Sequence, residues 1–188
     1  VMNNPFYLPA ERGLQSFFSL PKGGIEKISE RLYNQLASIH KISNKFHKIQ
    51  IDPLDIKYDF KSGEGWIQKK NQPSFSKLAL GATGFQSAVP IVLVILNYEF
   101  LKKQKTFILE EPEQNLFPEI QNKLVRFLAS KAFGDTQNQI FLTTHSPYIL
   151  TSLNNLMQAY LTGNNKNERA LKVSRVIPKK YWIKPDDV

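Results

Sequence analysis

The spacing of apolar residues changes several times along the chain, and each change predicts an element. Phe6-Tyr7-Leu8 is a short apolar run closed by Pro9, which predicts a strand end. Gly13 and Lys22-Gly23-Gly24 punctuate a loop. Ile25, Ile28, Leu32, Leu36 and Ile39 then recur at helical spacing. They predict an amphipathic helix, basic on its outer face, that runs to about Phe46. Asp52-Pro53 breaks the pattern. Ile56, Tyr58 and Phe60 alternate, and Lys61-Ser62-Gly63-Glu64-Gly65 reads as a turn before Trp66-Ile67, which predicts a β-hairpin. The loop Leu80-Gly81-Ala82-Thr83-Gly84 leads into a long apolar helix from Phe85 to about Phe100.

Beyond that helix, short apolar runs alternate with helical patterns. Thr106 to Leu109 predicts a buried strand. Pro118 opens a helix whose apolar positions include Ile120, Leu124, Phe127 and Leu128, and Gly134-Asp135 ends it. Gln139 to Thr143 predicts a second buried strand. His145-Ser146-Pro147 opens a short helix to Leu153. Leu156 to Leu161 and Leu171 to Ile177 predict two more strands around the turn Gly163-Asn164-Asn165. Strands alternating with helices predict an α/β fold with a mainly parallel sheet flanked by helices.

Composition narrows the function classes. A chain of 188 residues with 41% hydrophobic and 22% charged residues has the makings of a packed core. There is no cysteine, which excludes disulfide scaffolds, cysteine-zinc sites and thiol catalysis, and suits a reducing, cytoplasmic interior. The most apolar run, Ala88 to Leu96, is too short to span a membrane, and Val1-Met2-Asn3-Asn4-Pro5 has no signal-peptide pattern. No membrane partner is expected. The net charge of +9 is uneven: residues 25–51 carry +3, residues 151–188 carry +4, and residues 81–115 carry −1. Clustered basic charge fits a nucleic-acid or other polyanion partner, and it equally fits a solvated basic surface.

Three segments carry chemistry. Thr106-Phe107-Ile108-Leu109-Glu110-Glu111-Pro112-Glu113 is an apolar strand that ends in two adjacent carboxylates. The carboxyl ends of parallel strands are where ligands bind. One such acid can hold a hydrated Mg²⁺ and the other can orient or deprotonate a water. Taken alone, a solvated acidic turn gives the same pattern. Ile140-Phe141-Leu142-Thr143-Thr144-His145-Ser146 is a strand ending in a histidine, in a position parallel to that of Glu111. That histidine suits a phosphate or a catalytic water, although a lone histidine is more often structural. Ala82-Thr83-Gly84-Phe85-Gln86 precedes the apolar helix. The Thr83 hydroxyl, the Gly84 N–H and the helix N-terminus make an anion-binding corner, or a plain N-cap with a glycine turn.

The joint order of these segments resembles the ABC-type ATPase heads, specifically the SMC-like, RecF-like and OLD-like ATPases of DNA-repair and phage-defence systems, often grouped as AAA-type. Thr83-Gly84-Phe85-Gln86 resembles their signature motif, with Phe85 where a glycine is usual and Thr83 where a serine is usual. Ile108-Leu109-Glu110-Glu111 resembles Walker B, with Glu rather than Asp at the first acid. Pro112-Glu113-Gln114-Asn115-Leu116-Phe117-Pro118 is similar to the D-loop, and Thr144-His145-Ser146 to the switch-histidine loop. Tyr7-Leu8-Pro9-Ala10-Glu11-Arg12 resembles a segment found upstream of the signature in these proteins.

The resemblance implies a P-loop NTPase fold that uses ATP and Mg²⁺. It implies Glu111 and His145 as catalytic residues and Glu110 as the Mg²⁺ residue. Thr83, Gly84 and Gln86 would meet nucleotide in trans, and Glu113 and Asn115 would act as the D-loop of a nucleotide-bridged homodimer. Gly-x-x-x-x-Gly-Lys-Ser/Thr, the Walker A loop, does not occur in the sequence. The chain therefore reads as a single C-terminal lobe over residues 1–188. Residues 25–80 form a helix-and-hairpin insertion and residues 81–177 the signature, Walker B and histidine core. A missing N-terminal lobe is the implied partner, and DNA a further one. With no sustained heptad run, a compact RecF-like or OLD-like head is preferred to a long-armed one. The alternative is a non-enzymatic, basic nucleic-acid-binding module. A carboxylate metal nuclease built on Glu110, Glu111 and Glu113 is a third reading, disfavoured because adjacent acids on one turn diverge.

Overall fold

A computed structural model of the chain describes residues 4–17, 29–133, 138–164 and 168–188. It is a mixed α/β fold. Three strands form a parallel sheet: β1 (Phe6–Leu8), and the later strands of Thr106–Glu110 and Gln139–Thr143. Between them the chain first makes a 3₁₀ segment, Ala10–Phe17, where a loop around Gly13 is expected from sequence. Helix α1 (Glu30–Ser43) follows, capped by the Ser29 side chain, which accepts from the Leu32 N–H at 3.3 Å. The expected start of this helix at Ile25 lies outside the described residues.

A second sheet is antiparallel and has the order β2 (Ile49–Ile51), β3 (Ile56–Lys61), β4 (Glu64–Lys69) and β5 (Ser76–Lys77). Its β3–β4 hairpin is the predicted one. Ser62 and Gly63 both take positive φ, 52° and 78°, as a tight two-residue hairpin turn requires. Ile56, Tyr58 and Ile67 of this sheet are buried.

Helix α2 (Thr83–Phe100) then runs through the middle of the protein. Ala88, Val89, Ile91, Val92, Leu93, Val94 and Ile95 are all fully buried, so the helix is apolar on every side over two turns. One core joins it to Leu8, Phe107 and Leu109 of the parallel sheet and to Leu36 and Ile39 of α1. The parallel sheet closes with β6 (Thr106–Glu110) at its centre, helix α3 (Pro118–Ala132), and β7 (Gln139–Thr143) at its edge. Gly134-Asp135, the expected end of α3, lies outside the described residues.

The chain after residue 146 corrects the sequence reading. The two strands expected at 156–161 and 171–177 are helices. Helix α4 runs Pro147–Gly163, well past Leu153, and α5 runs Glu168–Val176. Ile149, Ser152, Leu156, Ala159 and Gly163 are buried at a spacing that suits one helical face, not alternate positions of a strand. In α5 the run Ala170-Leu171-Lys172 consists of strong helix formers, and its expected alternation gives way to that preference. Gly163, the last residue of α4, has no room for a side chain, because any Cβ there would collide with the Trp182 ring. Among the described residues no helix is long and apolar enough to cross a membrane.

Candidate functional site

The carboxyl ends of β6 and β7 lie side by side, with Glu110 level with Thr143. The ladder continues one step further, since the Glu111 N–H donates to the Thr143 carbonyl at 3.0 Å. There the backbone turns sharply. Glu111 sits at φ 42° and Asn115 at φ 59°, both in the left-handed region that non-glycine residues avoid. The Gln114 N–H donates to the Glu111 carbonyl at 3.0 Å and the Leu116 N–H to the Glu113 carbonyl at 2.9 Å, so the four acids and amides after β6 form one compact turn.

This turn sends its carboxylates in three directions. Glu111 Oε1 lies 3.9 Å from His145 Nε2. The histidine side chain is 91% exposed and that of Glu111 40%, so both face solvent. Glu113 turns to the histidine loop: its Oε1 accepts from Thr144 Oγ1 at 2.6 Å and from the His145 N–H at 3.0 Å. Its other oxygen is buried without a partner. Thr144 Oγ1 in turn accepts the Ser146 N–H at 3.0 Å. Ser146 Oγ donates to Gln121 at 2.6 Å and caps α4. The loop bearing His145 is thus fixed at both ends while the imidazole is exposed to solvent beside Glu111.

Glu110 turns away from His145, toward β1. Its Oε2 accepts the Ala10 N–H at 3.3 Å, and its side chain is hydrogen-bonded by the Tyr7 hydroxyl. Tyr7 is pushed up to about 12, first by burial and then by that hydrogen bond and the Glu110 charge. The three acids therefore do not converge, and among the described residues no group of three or more metal-ligating side chains is placed to hold an ion. Glu111 is the acid whose carboxylate accepts no hydrogen bond among the described residues, which leaves it open to water.

The Thr83–Gln86 segment packs onto the same turn. Gly84 is buried against the backbone of the turn after β6: a Cβ there would lie 2.5 Å from the Asn115 carbonyl oxygen and 3.0 Å from Leu116. Thr83 is exposed at the first turn of α2. Gln86 spends its amide nitrogen on the carbonyls of Ala79 at 3.1 Å and Gly81 at 2.9 Å, so it holds the loop that carries Thr83.

Arg12 was not singled out by the sequence. It is fully buried beneath the turn. A single arginine between Glu11 and Gly13 has no periodicity to reveal this, and only the likeness of the surrounding segment marked it. Thr144 and Tyr7 were likewise missed as partners of Glu113 and Glu110.

A parallel sheet flanked by helices, with acids and a histidine at adjoining strand ends, defines a P-loop NTPase-like α/β protein. A family model described as AAA ATPase domain matches residues 19–150, well over half of the chain. The chain belongs to that family, whose class activity is nucleotide binding and ATP hydrolysis, usually with a divalent metal. The match spans the Thr83–Gln86, Glu110–Glu111 and Thr144–Ser146 segments and excludes Arg12. Comparison with curated proteins returns no match.

Proposed function

We propose that this chain supplies the water-activating half of an ATP-hydrolysing site of the RecF-like or OLD-like kind. The observation that carries the reading is the meeting of Glu111 and His145, 3.9 Å apart, at the ends of neighbouring parallel strands. In this reading Glu111 orients an attacking water and accepts its proton, and His145 contacts the γ-phosphate. A bound Mg²⁺ supplies charge neutralisation between the phosphates. Glu110 would be the strand-end carboxylate that holds it, once released from Ala10 and Tyr7. Thr83 faces nucleotide held by a second protomer in a head-to-head homodimer. Gly84 contributes by letting the turn at Asn115 pack against it, and Gln86 through the loop it braces. Glu113 and Asn115 carry the dimer contact.

The phosphate grip comes from a lobe with a Walker A loop, which these 188 residues lack. The edge position of β7 supports this. Its outer side meets no other strand among the described residues, and its Phe141 is 60% exposed. Edges of this kind are normally covered by further structure. The basic surface supports DNA as the polyanion on which the cycle acts, in DNA processing, repair or phage defence. A purely nucleic-acid-binding module leaves the Glu111–His145 pair without a purpose.

The test joins the chain to a Walker A-bearing lobe. ATP is then hydrolysed, and Glu111→Gln lowers kcat about 100-fold or more while ATP affinity stays within about 3-fold. The chain alone binds Mg-ATP weakly in isothermal titration. Tight binding by the chain alone would sink the half-site reading.

A further inference from the structure

We propose that Arg12 is the positioning residue of this site: its buried guanidinium holds the Glu110–Glu111 backbone to helix α2 and so presets the Glu111 carboxylate beside His145. Four hydrogen bonds make the case. Arg12 Nε donates to the Ser87 carbonyl of α2 at 2.9 Å. Its Nη1 donates to the carbonyls of Pro9 at 2.9 Å and Glu110 at 2.6 Å, and its Nη2 to that of Glu111 at 2.8 Å. All four acceptors are backbone oxygens, drawn from three segments of the chain. No carboxylate lies within ion-pair distance of Arg12 among the described residues.

A guanidinium with no exposed surface is costly to bury, and it persists where its geometry is needed. Burial pulls Arg12 down to about 10, opposed by the carboxylates of Glu113, Glu111 and Glu110, so it keeps its charge at neutral pH. That charge lies directly behind the acidic turn.

The strain in the turn explains what the hydrogen bonds hold. Glu111 at φ 42° needs its surroundings to keep it there. Its N–H is tied to Thr143 on β7, and its carbonyl is tied to Arg12. The same carbonyl also accepts the Gln114 N–H at 3.0 Å within the turn. Without Arg12 that local bond alone does not hold the positive φ, so the residue returns to negative φ and its carboxylate swings away from His145. A second strut, Ser87 Oγ to Gln114 Oε1 at 3.3 Å, links the same α2 residue to the same turn. Lysine has no planar fork and cannot serve Ser87, Glu110 and Glu111 together.

The experiment reads Glu111 directly in the chain. A positive-φ residue gives a strong intraresidue HN–Hα cross-peak in NMR. Arg12→Ala loses this peak at Glu111, and methylguanidinium chloride restores it where sodium chloride does not. Should Arg12→Ala fail to fold, Arg12→Lys is read in the same way, with the same loss expected. A folded variant that keeps the peak overturns the proposal. The kinetic arm rests on the proposed ATPase reading. In the chain joined to a Walker A lobe, Arg12→Lys lowers kcat about 10-fold or more and leaves KM for ATP within about 3-fold. Unchanged kcat overturns the positioning role. An unsubstituted assembly that hydrolyses no ATP refutes the ATPase reading instead, and the cross-peak still decides the role of Arg12.

Discussion

The two sheets of this protein each carry residues in the left-handed region, and they hold them by different means. In the antiparallel sheet, Ser62 and Gly63 lie in a two-residue hairpin turn whose own chemistry asks for positive φ. In the parallel sheet, Glu111 has one local bond, its carbonyl accepting the Gln114 N–H at 3.0 Å, but a glutamate is not a residue that favours positive φ. Its conformation is held by Thr143 across the ladder and by Arg12, 99 residues earlier in the chain. The outer face of the antiparallel sheet is also self-contained: Lys61 lies 4.7 Å from the Trp66 ring and 5.1 Å from Phe75, and Lys77 pairs with Glu64 at 2.8 Å. At the end of β6, by contrast, the Glu111 and His145 side chains are left facing water. Strain that is satisfied locally marks a turn. Strain that is imposed from a distance, beside unsatisfied charge, marks a site.

The largest break in this comparison comes from the core of the parallel sheet. Phe107 on the central strand is fully buried and packs edge-on to Tyr98 at 5.7 Å. Phe107→Ala costs about 3–5 kcal/mol in urea denaturation. Lys61→Ala, on the exposed face of the other sheet, costs less than about 1 kcal/mol. Equal losses would mean that the antiparallel sheet is as central to stability as the strands bearing the site.

Two glycines sharpen the contrast at a smaller scale. Gly84 is small because the Asn115 carbonyl approaches it, so Gly84→Ala forces the turn after β6 to move and costs about 1–3 kcal/mol. Gly63 has nothing within 4 Å of an added Cβ and is constrained only by its φ of 78°. Gly63→Ala costs about 1 kcal/mol. Amide chemical shifts separate the two mechanisms: Gly84→Ala moves the signals of Asn115 and Leu116, and Gly63→Ala disturbs only the hairpin.

The same contrast explains what was legible in the sequence. The hairpin, α2, α3 and the two strands at Thr106 and Gln139 were readable because apolar period and turn residues are local signals. The burial expected of Gln139–Thr143 was not, since it is an edge strand with no buried residue and Phe141 is 60% exposed. The acids of Glu110-Glu111 and His145 were readable because strand ends expose chemistry in sequence order. The 156–177 region misled because Leu156 to Leu161 is an apolar run compatible with either period, and packing against Ile183 and Trp182 from the C-terminal segment decides for helix. The turn of Glu110 toward Ala10 and the burial of Arg12 depend on contacts about 100 residues apart, and the turn of Glu113 toward Thr144 on a contact 31 residues apart, which no local pattern encodes.

The smallest expected effect tests whether Glu110 is anchored on its β1 side. Tyr7 ionises at about 12 instead of 10.0 because the phenol is partly desolvated and hydrogen-bonds a carboxylate. A phenol whose folded pKa is raised favours the fold in its neutral form. That contribution is complete below pH 10 and is lost as pH rises through about 12. Tyr58, in the other sheet, is also raised, but chiefly by burial, with its hydroxyl donating to the Ser43 carbonyl at 3.3 Å. Tyr7→Phe costs less than about 1 kcal/mol near neutral pH and removes one late step from the tyrosinate absorbance titration. It also frees one bond to Glu110, so on the proposed reading, in which Glu110 holds Mg²⁺, the Mg²⁺ dependence of turnover in the assembly shifts toward lower Mg²⁺. An absorbance titration unchanged by Tyr7→Phe would mean that Glu110 is not held there, and the division of labour between the two adjacent acids would lose its structural basis.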